Sequence, residues 1–437
     1  MFEPLYTADE MRAAEKGHDI EAMMGRAGRA VAEAVLRRYP DARRIGAVCG
    51  KGANGGDGRI ALRVLQEAGR DADVGLDGAE IVIDALFGTG FRGEPRAEAA
   101  EQIERINNGG VPVVAVDLPS GVDASTGEVA GAAVRADVTV TMHAPKVGLL
   151  VAPGRFLAGD VEVADIGLDE MKTEHRVVTE RILQVVPRKR EGDTKYTAGS
   201  VLVVGGSPGM TGALCLAGEA AFRADAGYVA VATAEAALPA VEARLLEAVK
   251  APLDRVDALA GRASALAIGP GLGRSDEARA LVRRLLAELE LPAVVDADAL
   301  FELEPADWPA PRILTPHAGE LGRLLGEDSS WVDAHRLEAL RRAIDRYRCV
   351  VLLKGPDTLV GAPGEGVLVR TNGTPALATA GTGDVLTGII AAFLAKGLDA
   401  RLAAAAGAVA QGRAAELSHR VGMMASDVID ALPRALS

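Results

Sequence analysis

Short aliphatic runs alternate along this chain with longer amphipathic segments. In the first half, the runs predict strands over residues 45–50, 81–88, 111–121 and 136–144, and residues 57–70 have helical spacing. Strands that alternate with helices form parallel sheets with helices on their faces, because parallel neighbours need a crossover connection. The sequence therefore predicts an α/β fold.

A second series of aliphatic runs follows a polar segment. Residues 187–200 are charged and polar and contain glycine, which is typical of a linker. The later runs predict strands over residues 200–207, 228–235, 265–273, 292–300, 312–320 and 349–358. A chain of 437 residues is too long for one core of ordinary size. We expect two α/β domains, residues 1–190 and 191–437.

Charge and cysteine spacing restrict the partners and the compartment. The formal net charge of -13 argues against a nucleic-acid partner, because phosphate contacts need clustered Lys and Arg. Cys49, Cys215 and Cys349 are far apart, which indicates a reducing compartment without disulfides or zinc. Glu3 and Asp9 interrupt the start, and no apolar run is long enough to span a bilayer. We expect a cytoplasmic homo-oligomer without a membrane partner.

Polar side chains follow the predicted strands of the first half. The stretch "CGKGANGGDGRIALRVL" (49–65) is a glycine-rich turn that leads into a helix, and its N–H groups could hold an anion. Taken alone, a tight turn explains it equally well. Because the carboxyl ends of strands in a doubly wound sheet face the ligand crevice, one site is expected. Its candidate residues are Asn54, Asp57, Asp84, Asp117, Ser120 and Lys146. Helix capping by the carboxylates and solvation of the lysine are the structural alternatives.

Four stretches of this half occur together in order: "GKGANGGDG", "DALFGTG", "VDLPSG" and "APKVG". As a set they resemble the NAD(P)H-hydrate epimerases over roughly residues 1–190, although Ala53 stands where the family has Asn. The resemblance implies a Rossmann-like three-layer α/β/α fold. It also implies exchange of the R and S configurations at nicotinamide C6, which carries a hydroxyl group in the hydrated coenzyme. Asp117 and Lys146 would accept and return the protons.

The same resemblance implies a substrate site and an ion site. The ion would be K⁺, bound by oxygens of Asn54, Asp84 and Ser120, and such a cation suits amide, carboxylate and hydroxyl ligands. The implied epimerase substrate-binding residues are Ala53, Asn54, Gly55, Gly56, Asp57, Gly88, Thr89, Gly90, Phe91, Arg92, Gly93, Glu94 and Asp117.

In the second half, "ATAGTGDVLTG" (378–388) surrounds Asp384 with glycines at a predicted helix start. Gly381, Gly383 and the helix N-terminus could hold an anion through N–H groups. Asp384 could then accept a proton from a substrate hydroxyl that attacks a phosphoryl group. Taken alone, N-capping by Asp384 is the simpler explanation.

Further strand-end stretches accompany this loop: "IGPGLG", "TPHAGE" and "KGPDT". Together they resemble the ribokinase-like superfamily, and within it the ADP-dependent NAD(P)H-hydrate dehydratases, over residues 191–437. Tyr196 and Ala380 stand where glycine is common in that family. The resemblance implies a ribokinase-like α/β domain in which Asp384 activates the C6 hydroxyl for phosphorylation. Loss of phosphate then restores NAD(P)H, and ADP, the co-substrate used with Mg²⁺, becomes AMP.

The implied dehydratase substrate residues are Ala213, Gly271, His317 and Asp384, and the implied nucleotide residues are Lys354, Gly355, Pro356, Asp357, Thr358 and Gly383. The substrates would be NADHX, NADPHX and ADP, and the sequence leaves open whether ATP replaces ADP. The alternative is an ATP-dependent small-molecule kinase of the ribokinase type, fused to a Rossmann-like ligand-binding domain. The first half could also be a scaffold.

Overall fold

The computed structural model describes all residues, 1–437, and contains two compact units. The N-terminal unit comprises Pro4–Arg176 with Asp333–Leu337. The C-terminal unit comprises Met1–Glu3, Val177–Val332 and Glu338–Ser437. Both units are mixed α/β, as the alternating aliphatic runs predict.

Most of the first thirteen helices and strands form the N-terminal unit. In chain order they are β1 (Phe2–Leu5), α1 (Ala8–Glu15), α2 (Ile20–Arg38), β2 (Arg44–Cys49), α3 (Ala53–Glu67), β3 (Asp71–Val74), β4 (Ile81–Ala85), α4 (Ala97–Asn107), β5 (Val113–Val116), β6 (Val138–Met142), α5 (Val147–Leu150), β7 (Asp160–Ala164) and β8 (His175–Val178). Six of the strands form a parallel sheet in the order β3-β2-β4-β5-β6-β7.

Helices cover both faces of this six-stranded sheet. Ile83 of β4 lies in one apolar cluster with Val31 of α2 and Leu65 of α3. The next residue back, Val82, lies in a different cluster with Ile103 of α4. Successive strand residues point to opposite faces, so this alternation gives a three-layer α/β/α arrangement. The Rossmann-like prediction for this unit is confirmed.

The strand order determines where a ligand can bind in this unit. The chain proceeds from β2 outward to β3 and then returns past β2 to β4, so the order reverses between β2 and β4. Ligands bind outside the carboxyl ends of the strands at such a reversal. The glycine-rich turn after β2 and the loop after β4 both lie at that position.

The C-terminal unit contains most of the remaining elements. They are β9 (Ser200–Val204), α6 (Thr211–Arg223), β10 (Tyr228–Thr233), α7 (Leu238–Arg244), β11 (Val249–Pro252), α8 (Val256–Ala260), β12 (Ala265–Ile268), α9 (Asp276–Glu288), β13 (Ala293–Val295), β14 (Arg312–Leu314), α10 (Ala318–Leu325), α11 (Ser329–Ala334), α12 (Arg336–Tyr347), β15 (Val350–Leu353), β16 (Thr358–Gly361), β17 (Leu368–Arg370), α13 (Thr382–Ala395), α14 (Ala400–Glu416) and α15 (Ala425–Leu436).

The larger sheet has eleven strands in the order β1-β8-β17-β16-β15-β14-β13-β12-β9-β10-β11. Strands β9 to β15 pair in parallel, whereas β16 pairs antiparallel with β15 and β17. The order reverses between β9 and β12, so a ligand crevice is expected there as well. Val203 of β9 packs in one core with Ala217 of α6 and Ile389 of α13.

The division between the units differs from the expected boundary at 190. Ile182, Leu183 and Val186 belong to the core of the C-terminal unit, which begins at Val177 in this part of the chain. The polar segment 187–200 therefore lies inside that unit, because the apolar side chains before it are buried there. The three cysteines are free. None of the helices combines the length and apolar character needed to cross a membrane.

Candidate functional sites

The glycine-rich turn after β2 becomes the first turn of α3. Its N-cap, Gly52, provides no side-chain hydrogen bond, so the first N–H groups of α3 have no side-chain acceptor from the cap residue. The Asn54 amide donates to the carbonyl oxygen of Phe87, 2.8 Å away. A Cβ at Gly88 would lie 2.9 Å from Asn54 Oδ1, so glycine permits this close approach. The loops after β2 and β4 thus meet at the reversal point.

A cavity of about 1450 Å³ opens between these loops. It exceeds the roughly 300–1,000 Å³ of an ordinary ligand pocket. The predicted substrate residues that line it are Ala53, Asn54, Asp57, Gly88, Thr89, Gly90, Phe91, Arg92, Glu94 and Asp117. Gly55, Gly56 and Gly93 are not among its lining residues. Gly55 faces the main chain of Gly50, and Gly56 faces Met24.

Asp117 and Lys146 form an ion pair in the wall of this cavity. Lys146 Nζ donates to Asp117 Oδ1 at 2.6 Å, to Thr141 Oγ1 at 3.0 Å and to the Met142 carbonyl at 2.6 Å. The Lys146 side chain is completely buried. Asp117 has a φ of 68°, which a residue with a Cβ rarely adopts. Its contacts hold the carboxylate in this strained position at the end of β5.

Asp84 and Ser120, two of the three predicted ion ligands, are hydrogen-bonded to each other, and Ser120 and the third, Asn54, both contact the main chain of Phe87. The buried Asp84 carboxylate accepts from Ser120 Oγ at 2.6 Å and from Ser120 N at 2.7 Å. Ser120 Oγ in turn accepts from Phe87 N at 2.8 Å. Burial raises the pKa of Asp84 to about 6, although the Ser120 hydrogen bonds oppose the shift. A buried carboxylate among amide, hydroxyl and carbonyl oxygens has the donor chemistry of a site for a hard cation.

Asp57 and Glu15 add two carboxyl groups to the cavity. Burial, and then the charges of Asp117 and Glu15, raise the pKa of Asp57 to about 8. Burial and the Asp117 charge also raise the pKa of Glu15. Sequence reasoning missed Glu15, because it lies on α1, outside every strand-end motif.

Asp384 is the third residue of α13, as the predicted helix start requires. The helix N-cap is Gly381 with a φ of 90°, a conformation that favours glycine, and it provides no side-chain cap. Burial, and then the charge of Asp296, raise the pKa of Asp384 to about 7, although Lys354 lowers it. The group is therefore poised to gain or lose a proton near neutral pH.

A buried network beside Asp384 includes a residue that sequence reasoning left without a role. Asp296, at the end of β13, accepts from Lys354 Nζ at 2.8 Å and from Thr387 Oγ1 at 2.7 Å. A Cβ at Gly383 would lie 3.5 Å from Lys354 Nζ. The signal for Asp296 was a carboxylate directly after an aliphatic run, as for Asp84 and Asp117.

The other predicted dehydratase substrate residues lie at two places, the start of α10 and the second strand-order reversal. His317 is the N-cap of α10: its Nδ1 accepts from Gly319 N at 3.0 Å, and it shares a capping box with Glu320. Its side chain is also exposed. Glu320 lies 3.8 Å from Lys354 Nζ, which connects α10 to the network. Gly271, after β12, and Ala213, on α6, lie side by side at the second reversal point.

The predicted nucleotide segment forms the turn between β15 and β16. Lys354 is partly buried at the end of β15, and Gly355 and Pro356 are exposed in the turn. Asp357 and Thr358 are buried where the hairpin returns, so their side chains belong to the fold at this point. The structure thus brings Lys354, Gly383 and Asp384 close to one another.

Family models and near-complete relatives of this chain both indicate NAD(P)H-hydrate repair enzymes. Residues 201–434 match the family model described as NAD(P)H-hydrate dehydratase, and residues 20–77 and 71–148 match the YjeF-related protein N-terminus. The bifunctional NAD(P)H-hydrate repair enzyme Nnr of Moorella thermoacetica is 36% identical, over 99% of this chain and 96% of the relative. The enzyme of the same name from Escherichia coli is 33% identical, over 99% and 94%.

Solved structures resemble the C-terminal unit. The ADP/ATP-dependent NAD(P)H-hydrate dehydratase of Bacillus subtilis, co-crystallised with ATP and Mg²⁺, is 30% identical with a TM-score of 0.55, over 59% of this chain and 96% of that one. A ribokinase-like superfamily protein of Enterococcus faecalis is 24% identical with a TM-score of 0.54, over 61% and 97%, and shows the same fold. With both family models and near-complete relatives in agreement, the chain belongs to the family of bifunctional NAD(P)H-hydrate repair enzymes.

Proposed function

We propose that this chain repairs hydrated nicotinamide coenzymes in two steps. The N-terminal unit interconverts the R and S forms of NADHX and NADPHX, and the C-terminal unit dehydrates the S form with ADP, which yields NAD(P)H, AMP and phosphate. The observation that carries the proposal is the position of Asp384, at an uncapped helix N-terminus beside Lys354 and with a pKa near neutrality.

In the dehydration, ionised Asp384 accepts the proton of the C6 hydroxyl group. The oxygen then attacks the terminal phosphoryl group of ADP, the bond from that phosphorus to the bridging oxygen breaks, and AMP leaves. The N–H groups of α13 and the Lys354 ammonium balance the developing charge. The C6–O bond then breaks, and phosphate leaves with the bonding pair as the ring nitrogen donates electrons to C6. Loss of a C5 proton to water restores the dihydronicotinamide.

Mg²⁺ is part of the proposal as the counter-ion of the nucleotide phosphates. Mg²⁺ usually binds through substrate phosphates together with one or two carboxylates. Asp298 and Glu320 both lie close enough to Asp384 to raise its pKa, after burial and Asp296. These two carboxylates are the candidates to hold the cation when the nucleotide is bound.

In the epimerisation, Asp117 is the proposed proton acceptor. Its Oδ1 is held by Lys146, Thr141 and the Met142 N–H group, and it faces the cavity that would take the coenzyme. Lys146 is also proposed to take part, and its contacts support a role in which it holds the Asp117 carboxylate in place.

K⁺ is proposed as the resident cation of the N-terminal unit. Asn54 Oδ1, Asp84 and Ser120 would hold it. In support, Ser120 Oγ donates to Asp84, and Asn54 and Ser120 both contact the main chain of Phe87. The cation would supply positive charge that compensates Asp84 and the phosphates of the coenzyme.

The protein is also proposed to form a homo-oligomer in the cytoplasm. We propose that two exposed apolar side chains, Val163 on the edge strand β7 and Phe156, contribute to homo-oligomer formation. A cytoplasmic location agrees with the three free cysteines. Light scattering during gel filtration tests the assembly.

The decisive experiment supplies a mixture of R and S hydrated NADH with ADP or with ATP. Near-ultraviolet absorbance of the recovered dihydronicotinamide is followed, together with AMP and phosphate. We expect the S form to be consumed first and the R form to follow completely. A stable phosphoester made from ATP, without recovered dihydronicotinamide, would favour the kinase alternative instead. Persistence of the R form would favour a scaffold role for the N-terminal unit.

A further inference from the structure

Epimerisation at C6 needs two groups that handle protons, and Asp117 accounts for one. This inference rests on the epimerase activity proposed above. C6 carries both the hydroxyl oxygen and the ring nitrogen N1, so opening of the C6–N1 bond requires a base for the hydroxyl proton and an acid for N1. The Lys146 ammonium already donates to three acceptors at 3.0 Å or less and is completely buried. It therefore holds Asp117, and the acid must be another group.

Asp57 has the geometry of that acid. It lies in the first turns of α3 and lines the same cavity as Asp117, and the residue is only 8% exposed. Its Oδ1 is buried without a hydrogen-bond partner. A buried polar atom in this condition is costly unless a ligand satisfies it. The fold therefore leaves this carboxyl oxygen unsatisfied, in a residue that lines the cavity.

The surroundings of Asp57 keep its proton on at neutral pH. Asp117 after β5 and Glu15 on α1 are the charged groups that repel a negative charge there, and burial adds to their effect. The pKa of Asp57 is therefore raised to about 8. Lys146 is engaged by Asp117. The other cationic or basic residues that line the cavity are all exposed: Arg12, Lys16, His18, Lys51, Arg92, Arg96 and Arg105.

The remaining elements packed against α3 bring no compensating charge. Helix α2 approaches α3 through Met24 and Gly28, and β3 lines the cavity with Val74. Strand β2 contributes the Cys49 thiol, whose own pKa is raised by burial. On β4, the Asp84 carboxylate is turned to Ser120. Asp57 and Asp117 thus form a pair of carboxyl groups with different partners, one without a cation and one bound to Lys146.

We propose that Asp57 is the general acid of the epimerisation and that Asp117 is its base. Asp117 takes the C6 hydroxyl proton, the oxygen forms a carbonyl with C6, and the C6–N1 bonding pair moves to N1, which receives the Asp57 proton. Rotation about C5–C6 presents the other face of the aldehyde. N1 then attacks C6 and returns its proton to Asp57, and the alkoxide recovers the proton held by Asp117, so no atom is gained or lost.

The test is Asp57→Asn in the full-length protein, with epimer exchange followed by chromatography in the absence of nucleotide. The amide matches the shape of the neutral acid but cannot transfer a proton, so we expect kcat to fall about 10²–10⁴-fold with KM little changed.

In the wild type, kcat/KM should decline above about pH 8 as Asp57 loses its proton. The variant should lack this alkaline decline. Glu15→Gln removes one repelling charge and should move the decline to lower pH.

Glu67→Gln is the matched control, because Glu67 is an exposed carboxylate on the same helix, and it should leave the rate and the pH profile unchanged. Thermal unfolding and substrate binding of Asp57→Asn establish that the variant is folded. If folded Asp57→Asn protein keeps the wild-type kcat and alkaline decline, Asp57 is not the acid. The Asp117→Asn variant tests the epimerase activity separately. A raised KM alone would reduce Asp57 to a binding group. If the wild type exchanges no epimers, the proposed epimerase function fails and this role fails with it.

Discussion

At the scale of single residues, burial raises the pKa of three carboxyl groups that have different neighbours. It raises the pKa of Asp57 to about 8, of Asp84 to about 6 and of Asp384 to about 7. Their neighbours differ. The charges of Asp117 and Glu15 act on Asp57, Ser120 donates to Asp84, and the opposing charges of Asp296 and Lys354 act on Asp384. One residue type therefore provides a proposed acid, ion ligand and base within one chain.

The pH dependence of dehydration should report Asp384. A base must be ionised, and its pKa is raised to about 7, so kcat/KM for dehydration should be highest above that value and fall as the pH drops through it. Asp384→Asn should lower kcat by about 10²–10⁴-fold and leave epimer exchange intact. Recovery of dihydronicotinamide with ADP measures dehydration, and chromatography of the epimers without nucleotide measures their exchange. Dehydration at the wild-type rate by Asp384→Asn would rule out this base.

Monovalent-ion binding should depend on Asp84. Asp84→Asn retains an oxygen ligand but removes the buried charge, so we expect weaker Tl⁺ or Rb⁺ binding and weaker binding of the coenzyme hydrate. Anomalous scattering from crystals soaked in either ion locates the site. Asp73→Asn, on the exposed part of β3, is the control and should bind the ion as the wild type does. A peak remote from Asn54, Asp84 and Ser120 would contradict the ion assignment.

At the scale of elements, strand ends supply the polar groups and helix starts supply the N–H groups. Helices α3 and α13 both begin after an N-cap glycine that provides no side-chain hydrogen bond. Each helix lies beside a point where the strand order reverses, so its first turn faces a crevice. The short 3₁₀ helix Glu180–Val185 has a different purpose, because it contributes buried apolar side chains to the C-terminal core.

Ile182 should be important for the stability of the C-terminal unit. The side chain is fully buried in the core, so Ile182→Ala should lower the free energy of unfolding by about 2–5 kcal/mol. Val185→Ala, on the same 3₁₀ helix at an exposed position, should change it by less than about 0.5 kcal/mol. Denaturant unfolding followed by circular dichroism compares them. Equal stability of the two variants would show that this segment does not belong to the core.

At the scale of the whole molecule, each unit has its own sheet and its own apolar clusters. The N-terminal unit packs around six strands, and the C-terminal unit packs around most of an eleven-strand sheet. Each also has its own strand-order reversal with polar residues beside it. The two proposed activities therefore use separate sites on one chain.

The two activities should separate when the chain is divided at the observed boundary. A protein of residues 177–437 should dehydrate S-NADHX and leave the R form, because the Asp117–Lys146 site is absent. A protein of residues 191–437 lacks Ile182 and Leu183 and should unfold at a lower temperature. Calorimetry and the absorbance assay measure the two properties. Consumption of both epimers at equal rates by the shorter chains would contradict the division of labour.

The sequence alone determined the buried strands and the motifs at their ends. The aliphatic runs around Ile83, Val203 and Val294 predict strands correctly, because a strand buried on both faces must be apolar throughout. The edge strand β3 escaped prediction, because its sequence "DADV" is mostly polar and its pairing depends on β2. The β16–β17 hairpin likewise depends on pairing with β15.

Tertiary structure decided which of these residues meet. No local spacing indicates that Asp296 receives Lys354 and Thr387, or that Glu15 lies near Asp57, since each partner comes from a distant part of the chain. The same applies to Ile182, whose burial assigns residues before 190 to the C-terminal unit. Motifs specify a residue type and a position along the chain, whereas pKa, ion pairing and burial depend on neighbours that only the folded chain assembles.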